Sequence, residues 1–465
     1  MKFSYLFIFL LLETTLFSLT LQEYIYIALR DSSDSINYKE SIIYSQYNLE
    51  NIQNKFNFSI VPNSSATANS DEKTLSLGVS VNKPTQIGGE FYTSVRTTRT
   101  ESTHRQTSYN SQTVLGYKQS LFKRWGLKYN NQDILNAKQR YQLIKSKNRY
   151  INSQIILKAV EQYYNVILTH KRVKIYEESC VRAEKEYAFA QAKYSVGSVS
   201  SLDTHRAKLK MYSSQKNLED AKKSYLDSVD DMLYFINHNN QKIEIDMDVS
   251  IFIQHFEVKY NQTILDDNIN YKQKILDKRI LEDKIFLVKR DFLPDVTLDI
   301  NYKMNGYDKK FSNSFDNMYQ DKDANYNISI SSSYNFNTQS KKINYKKIIM
   351  ERSKLNREIH ELTRFIIKDI TSKQNRYESL KFNLNLSKSR VDETELSFKA
   401  AKIKHMQGVG TNFDILIASQ ELENAKIEYI SNILNYNKAI LTLADSQNIL
   451  DYNFIMELIN NTDDK

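Results

Sequence analysis

Three side chains in this sequence have the type and setting to do chemistry: Asp203, His405 and Asp414. Asp203 follows the run Tyr194-Ser195-Val196-Gly197-Ser198, and Asp414 follows His405-Met406-Gln407-Gly408-Val409-Gly410. A carboxylate can hold a cation or accept hydrogen bonds, and an imidazole changes charge near neutral pH. As a metal ligand or catalyst His405 lacks support, because no cysteine or second histidine stands beside it. Cys180, the single cysteine, can form no internal disulfide and has no partner that would make it a nucleophile. There is no Gly-rich phosphate loop, HExxH, CxxC pair or Ser-His-Asp arrangement, so the sequence does not read as an enzyme, and no cofactor or metal is expected. An aspartate just after a turn also caps the helix that follows, a role that can coexist with the others.

The elements that must position these residues are long helices. Only 9 Gly and 3 Pro occur in 465 residues. No glycine stands between Gly126 and Gly197 or between Gly306 and Gly408, and no proline follows Pro294. Breaker-free stretches that end in a glycine and then resume predict pairs of helices meeting at one sharp turn. At 1.5 Å per residue each helix would run for about 60–100 Å, longer than a globular domain needs. The turn occurs twice. Gly197 lies over Gly408 and Asp203 over Asp414, and the register holds for Tyr187 over Phe398, Lys193 over Lys404, Ala207 over Ala418 and Tyr225 over Tyr436. The shared offset of about 210 residues is too long for a solenoid and marks an internal two-fold repeat. Ile134, Tyr141, Ile144, Ile151, Ile155, Tyr163 and Ile167 form a narrow apolar stripe suited to a coiled-coil seam.

Two stretches change period. Leu75, Leu77, Val79 and Val81 alternate with Ser76, Gly78, Ser80 and Asn82; Phe91, Thr93 and Val95 follow, and Leu115 and Tyr117 share one face of a further run. In the second half Val296, Leu298, Ile300, Tyr302 and Met304 alternate with Thr297, Asp299, Asn301 and Lys303. Tyr326, Ile328 and Ile330 then alternate with Asn327, Ser329 and Ser331. Asn63–Asp71 reads as a polar run closing the first helices, and Thr97–Ser108 and Asn305–Asp323 read as polar loops. Strands with one apolar and one polar face fit either a sheet packed on a core or a transmembrane barrel with lipid outside and water inside. No window past the amino terminus approaches about 18 apolar residues, so a membrane would be entered by strands. Four strands per chain cannot close a barrel alone, whereas three chains would supply twelve.

Residues 1–18 read as a secretory signal, with Lys2, the apolar run Phe3–Leu12 and small Ser18. The formal charge of +9 is spread along the chain, without a basic arm that would point to nucleic acid. The expected division is a signal over 1–18, helices over 19–73, a β-hairpin over 74–122 and a helical hairpin over 123–240. An equatorial region with the helices of the second repeat follows over 241–294, then a β-hairpin over 295–338, a helical hairpin over 339–450 and a tail over 451–465.

The order of helix, two strands, long helix, glycine turn and helix, repeated once, resembles the TolC family of outer-membrane efflux proteins. The residues that carry the resemblance are Tyr194-Ser195-Val196-Gly197 with Asp203, and their partners Gly408 and Asp414. Gln119-Ser120-Leu121-Phe122 and Leu19-Thr20-Leu21-Gln22-Glu23 add to it. The resemblance covers nearly all of the chain after the signal. It implies a fold that is mainly α with β: long α-helical hairpins forming a periplasmic α-barrel, and a 12-stranded transmembrane β-barrel shared by a homotrimer with four strands from each protomer. It implies an outer-membrane location with a long periplasmic extension. The function would be the exit duct of a tripartite efflux or type I secretion system. An inner-membrane pump and a periplasmic adaptor would dock where the tunnel narrows, and selection there would be steric and electrostatic.

The family's gate carries over residue by residue. Asp203 matches an aspartate that helps hold the closed entrance. Its tyrosine partner position falls on His405 and its arginine partner position on Gly410, so the acceptor stays and both usual donors change. His405 could still donate to Asp203, more strongly when protonated. Asp414 matches one aspartate of a cation-attracting pore ring whose usual companion is Ile417 here. The tips Val196-Gly197-Ser198 and Gly408-Val409-Gly410 are expected adaptor contacts, because small residues at an exposed turn let a partner approach the backbone. Trp125, the only tryptophan, is expected at the periplasmic interface with outer-membrane lipid, where aromatic residues gather; a structural aromatic cap fits it equally. The alternative to a conduit is an exported structural coiled coil or adhesin, which would not need β-hairpins at equivalent points of a duplication.

Overall fold

The computed structural model describes residues 18–103, 105–238, 244–246, 252, 262–320, 325–407 and 409–460. Residues 1–17 of the expected signal lie outside the described residues. The first repeat runs β1 (Ser18–Leu19), α1 (Leu21–Asp31), α2 (Ser33–Gln53), β2 (Ser59–Ala68), β3 (Glu72–Pro84), β4 (Gly89–Ser102), β5 (Arg105–Ser120), α3 (Leu127–Asn130), α4 (Gln132–Ser146), α5 (Asn148–Ser195) and α6 (Ser201–Phe235). The second runs β6 (Glu244–Ile245), α7 (Gln262–Asp267), α8 (Ile269–Arg290), β7 (Asp295–Asp308), α9 (Phe311–Gln320), β8 (Asn325–Ser333), α10 (Gln339–Met406), α11 (Asn412–Ser446) and α12 (Tyr452–Asn460). The class is the expected one: long helices with one large sheet and an internal repeat. Among the described residues no helix is long and apolar enough to cross a membrane. The chain divides into two compact units, one within Met1–Glu40, Lys147–Asn268 and Arg364–Lys465, the other within Ser41–Ser146 and Ile269–Thr363.

The first unit is a helical assembly. α5 alone has 48 residues and runs for about 70 Å. Tyr24, Ile25 and Ala28 of α1 are fully buried in one core with Ile155, Ile156, Ala159 and Val160 of α5, a core that also takes in Ile440 and Leu441 of α11. Each large side chain so buried contributes about 1.5–3 kcal/mol. Thr20 and Glu23 form a capping box that starts α1 and fixes this docking. The Tyr163 hydroxyl reaches the carbonyls of Leu19 (3.1 Å) and Asp246 (2.9 Å), tying both strands of the β1–β6 ladder to α5. Buried Asn437 of α11 donates to the Tyr164 hydroxyl (3.2 Å) and accepts from the Phe252 amide (3.0 Å). The repeat is visible in the packing, since the aligned Ala207 and Ala418 are both buried.

The second unit is built on an antiparallel sheet in the order β2-β3-β4-β5-β7-β8. The sheet has six strands where the alternating stretches alone suggest four. The stretch read as a polar run, Asn63–Asp71, lies largely in β2, which pairs with β3 from Ser59↔Asn82 to Ala68↔Lys73. It escapes detection because Pro62 and its serines break the apolar alternation, which an edge strand tolerates. Thr97–Ser108, read as a loop, is mostly strand: β4 ends at Ser102 and β5 begins at Arg105, and the β-branched threonines there favour extended backbone. The other polar stretch contains α9, whose Ser314 and Met318 are buried on the sheet against Ser111 (2.9 Å) and Thr113 (3.2 Å).

The pairing register sorts the side chains into two faces. Leu77 of β3 stands opposite Ser64 of β2 and Thr97 of β4, Tyr302 of β7 opposite Leu115 of β5, and Ile328 of β8 opposite Ile300. These positions, with Leu75, Val79, Phe91, Tyr326 and Ile330, make one face whose large apolar side chains stay exposed: Leu77 at 57%, Ile328 at 68% and Ile330 at 69%. The opposite face carries Ser76, Ser80, Arg96, Thr98, Gln112, Asp299, Asn301, Asn327 and Ser329. On this apolar side α9 covers only Ser111, Thr113 and Gly306 and their surroundings, and the large apolar side chains named above stay exposed.

The helical hairpin tips as the candidate functional site

Each tip is a helix end, a turn and a capped helix start. α5 stops at Ser195 because Gly197 takes a left-handed backbone conformation, φ +74°. The Gly197 amide then donates to the Tyr194 carbonyl (3.0 Å) and the Ser198 amide to the Lys193 carbonyl (2.8 Å). This is the paired bonding of a glycine-terminated helix. At the second tip the amides of Val409 and Gly410 both donate to the Lys404 carbonyl at 3.0 Å. A Cβ on Gly410 would meet the His405 backbone nitrogen at 3.0 Å and the Lys404 Cβ at 3.1 Å, so a side chain here crowds the end of α10. Gly408 lies outside the described residues.

Both aspartates sit in the first turn of the outgoing helix, three residues after a hydroxyl cap. The Ser200 hydroxyl donates to Asp203 (2.6 Å) and accepts from the Asp203 amide (3.1 Å). Thr411 donates through its amide (2.8 Å) and hydroxyl (2.7 Å) to Asp414 and accepts from the Asp414 amide (3.3 Å), completing a capping box. The bonds from the Thr411 amide, then from its hydroxyl, hold the Asp414 carboxyl below its ordinary range. The caps are therefore Ser200 and Thr411, and the aspartates are their N3 partners. The duplicated pattern of Ser or Thr followed three residues later by Asp was the signal for this.

Within the chain, His405 packs edge-on to Phe189 of α5, with ring centroids 5.7 Å apart. Burial, then the nearby charge of Lys193, pushes its pKa down. Asp203 turns to its own helix instead, with Arg206 at 4.0 Å. The Arg206 guanidinium also lies over the Phe413 ring at 5.8 Å, joining α6 to α11. Sequence reasoning missed Arg206, which supplies a cation near Asp203 although the expected arginine position is Gly410. It also missed the apolar character of the tips. Val196 is 74% exposed, Val409 81% and Met406 77%, and Leu202 and Phe413 are also exposed.

Trp125 is exposed beside the end of β5, and its carbonyl accepts from Arg290 at the end of α8 (2.7 Å). It lies at the end of the sheet where the helices join: β2, β4 and β7 start there and β3, β5 and β8 finish there.

Residues 74–233 match the model of the outer membrane efflux protein family. A search of curated proteins returned no match. Among solved structures, the chain is similar to the outer membrane protein VceC from Vibrio cholerae, with a TM-score of 0.68 and 12% identity over 92% of this chain and 96% of that one. It is similar to the Campylobacter jejuni CmeC outer membrane channel, with a TM-score of 0.69 and 14% identity over 96% and 90%. It is also similar to the open state of the Neisseria gonorrhoeae MtrE outer membrane channel, with a TM-score of 0.68 and 13% identity over 92% and 88%. These likenesses concern the fold and span nearly the whole of each chain. The family match covers the first sheet region and the first helical hairpin, and the fold over nearly the whole chain is similar to that of these outer-membrane channels.

Proposed function

We propose that the protein is the exit duct of a tripartite efflux or type I secretion system, working as a homotrimer. In this reading, export is directed by residues 1–18. The sheets of three copies form one barrel, and the paired helical hairpins form a periplasmic tunnel. The observation that carries the reading is the sheet with membrane-length strands, an exposed apolar face and a polar face. A sheet with this distribution suits a wall between lipid and water. Trp125, at the helix-bearing end of that sheet, fits the periplasmic interface.

The hairpin tips are the docking site for a periplasmic adaptor, which brings an inner-membrane pump to the tunnel. Val196, Gly197, Ser198, Gly408, Val409 and Gly410 form the contact. The exposed Val196, Val409 and Met406 add apolar surface that a partner hairpin would cover. Asp203, His405, Gly410 and Asp414 form the entrance. Three Asp414 carboxylates around a threefold axis attract cations, while His405 and Arg206 are the groups near enough to bias the entrance towards closure. Cargo passes without bond chemistry.

The test is planar-bilayer conductance of the purified full chain, with its mass measured in the same preparation. Discrete, cation-preferring channels from a trimer are expected, and Asp203→Ala should raise the open fraction. A monomer or dimer without conductance would overturn the reading in favour of an exported structural coiled coil.

A further inference from the structure

Among the described residues two edges of the sheet have no strand beside them. β2 and β8 each pair on one side only, leaving outward rows of backbone N–H and C=O groups along 10 and 9 residues. Soluble proteins blunt such edges with charged residues. Here Ser59–Ala68 and Asn325–Ser333 contain no Lys, Arg, Asp or Glu. In hydrocarbon each unpaired group costs several kcal/mol, so an open edge cannot persist there. Six strands are also too few to close on themselves, since about 8 make the smallest barrels.

The edges complement each other. Strand direction alternates through the sheet, so β2 starts at the end where β8 finishes, and the two edges are antiparallel. The faces continue across the joint as well. Ile60, Pro62 and Ala66 of β2 lie on the apolar face with Tyr326, Ile328 and Ile330 of β8, while Asn63 and Ser65 share the polar face with Asn327, Ser329 and Ser331. All six strands have at least 9 residues, the length a tilted membrane strand needs.

We propose that β8 of each copy pairs with β2 of the next, so that three copies close an 18-stranded barrel in place of the 12-stranded one that the family resemblance implies. This rests on the trimer of the proposed function and adds the joint and the strand number. With strands about 4.8 Å apart and tilted by about 40°, eighteen strands give a backbone diameter of about 36 Å, against about 24 Å for twelve. The β2–β3 pair is thus part of the channel wall.

The experiment is disulfide cross-linking of the full chain in outer membranes, with trimer mass measured on the same sample. Cysteines are introduced in pairs on the polar face. Ser329→Cys or Ser331→Cys is combined with Asn63→Cys or Ser65→Cys to join β8 to β2, and with Ser94→Cys to join β8 to β4. Cys180 stays in place because it is buried. The expected result is covalent trimers from at least one β8–β2 pair and none from the β8–β4 pair. Trimers cross-linked through β8–β4 would overturn the inference, because β2 and β3 would then lie outside the wall. Trimers by mass without any β8–β2 cross-link would overturn the joint while leaving the conduit reading intact. Absence of trimers would overturn the proposed function itself.

Discussion

Substituting Gly197 separates two reasons for a glycine at a helical tip. Its φ is +74°, and nothing lies within 4 Å of the place a Cβ would occupy. The cost of a side chain there is therefore conformational and not steric. For an L-residue held in the left-handed region it is about 1–2 kcal/mol, with Asn lowest, Ala intermediate and β-branched Val highest. The two bonds that end α5, Gly197 to Tyr194 and Ser198 to Lys193, close only in that conformation. Opening of the tip should rise by about 5- to 30-fold. Hydrogen–deuterium exchange of the peptide containing Ser198, in the full-length protein, measures this opening. Gly197→Val should exchange fastest, Gly197→Ala next and Gly197→Asn closest to the native protein. At Gly410 the order should change, because a Cβ there meets the His405 nitrogen at 3.0 Å and Lys404 Cβ at 3.1 Å; Asn has no advantage over Ala. Equal exchange for Gly197→Asn and Gly197→Val would refute the conformational argument.

Asp414→Asn keeps an acceptor for Thr411 and removes the charge, so block by multivalent cations should weaken; unchanged block would remove Asp414 from the ring. Bulky residues at Gly197 and Gly408 should abolish adaptor cross-linking with trimers intact, and retained cross-linking would take the tips out of the docking site. His405 binds a proton more weakly folded than unfolded, because burial and then Lys193 lower its pKa. Its contribution to stability is whole above the unfolded pKa of about 6.5 and shrinks as pH falls from there towards the lower folded value. Exchange at the end of α10, corrected for intrinsic rates, should rise on acidification, and His405→Phe should remove that rise. Asn437→Leu strips partners from the buried Tyr164 hydroxyl and Phe252 amide, which should cost about 1–3 kcal/mol. A melting temperature equal to the native one would contradict that network.

The helices were legible because breakers are scarce and their positions repeat. The lack of glycine between Gly126 and Gly197 announces the long first arm, though not the short interruptions at Asn131 and Lys147 that divide it into α3, α4 and α5. The strands with clean alternation, such as Leu75 to Val81, were legible for the same kind of reason. β2 was not, because an edge strand needs an apolar residue at only some inward positions and takes its register from β3. The tips were located by Gly197 and Asp203, yet their contacts were hidden. Arg206 of α6 meets the Phe413 ring of α11 across more than 200 residues of sequence, and no spacing within either helix encodes that. The capping role of Ser200 and Thr411 was present in the sequence as a three-residue interval, overshadowed by the aspartates it served.

The sheet receives the chain from α2 and α8 and returns it to α3 and α10 at the same end, with Thr85–Gly88 turning there between β3 and β4. Strands can therefore be gained or lost only two at a time, and such an exchange leaves all four crossings to the helices where they were. On the barrel proposed above, inserting or deleting one hairpin would widen or narrow the wall while leaving the connections to the helices unchanged, which makes strand number a modular trait.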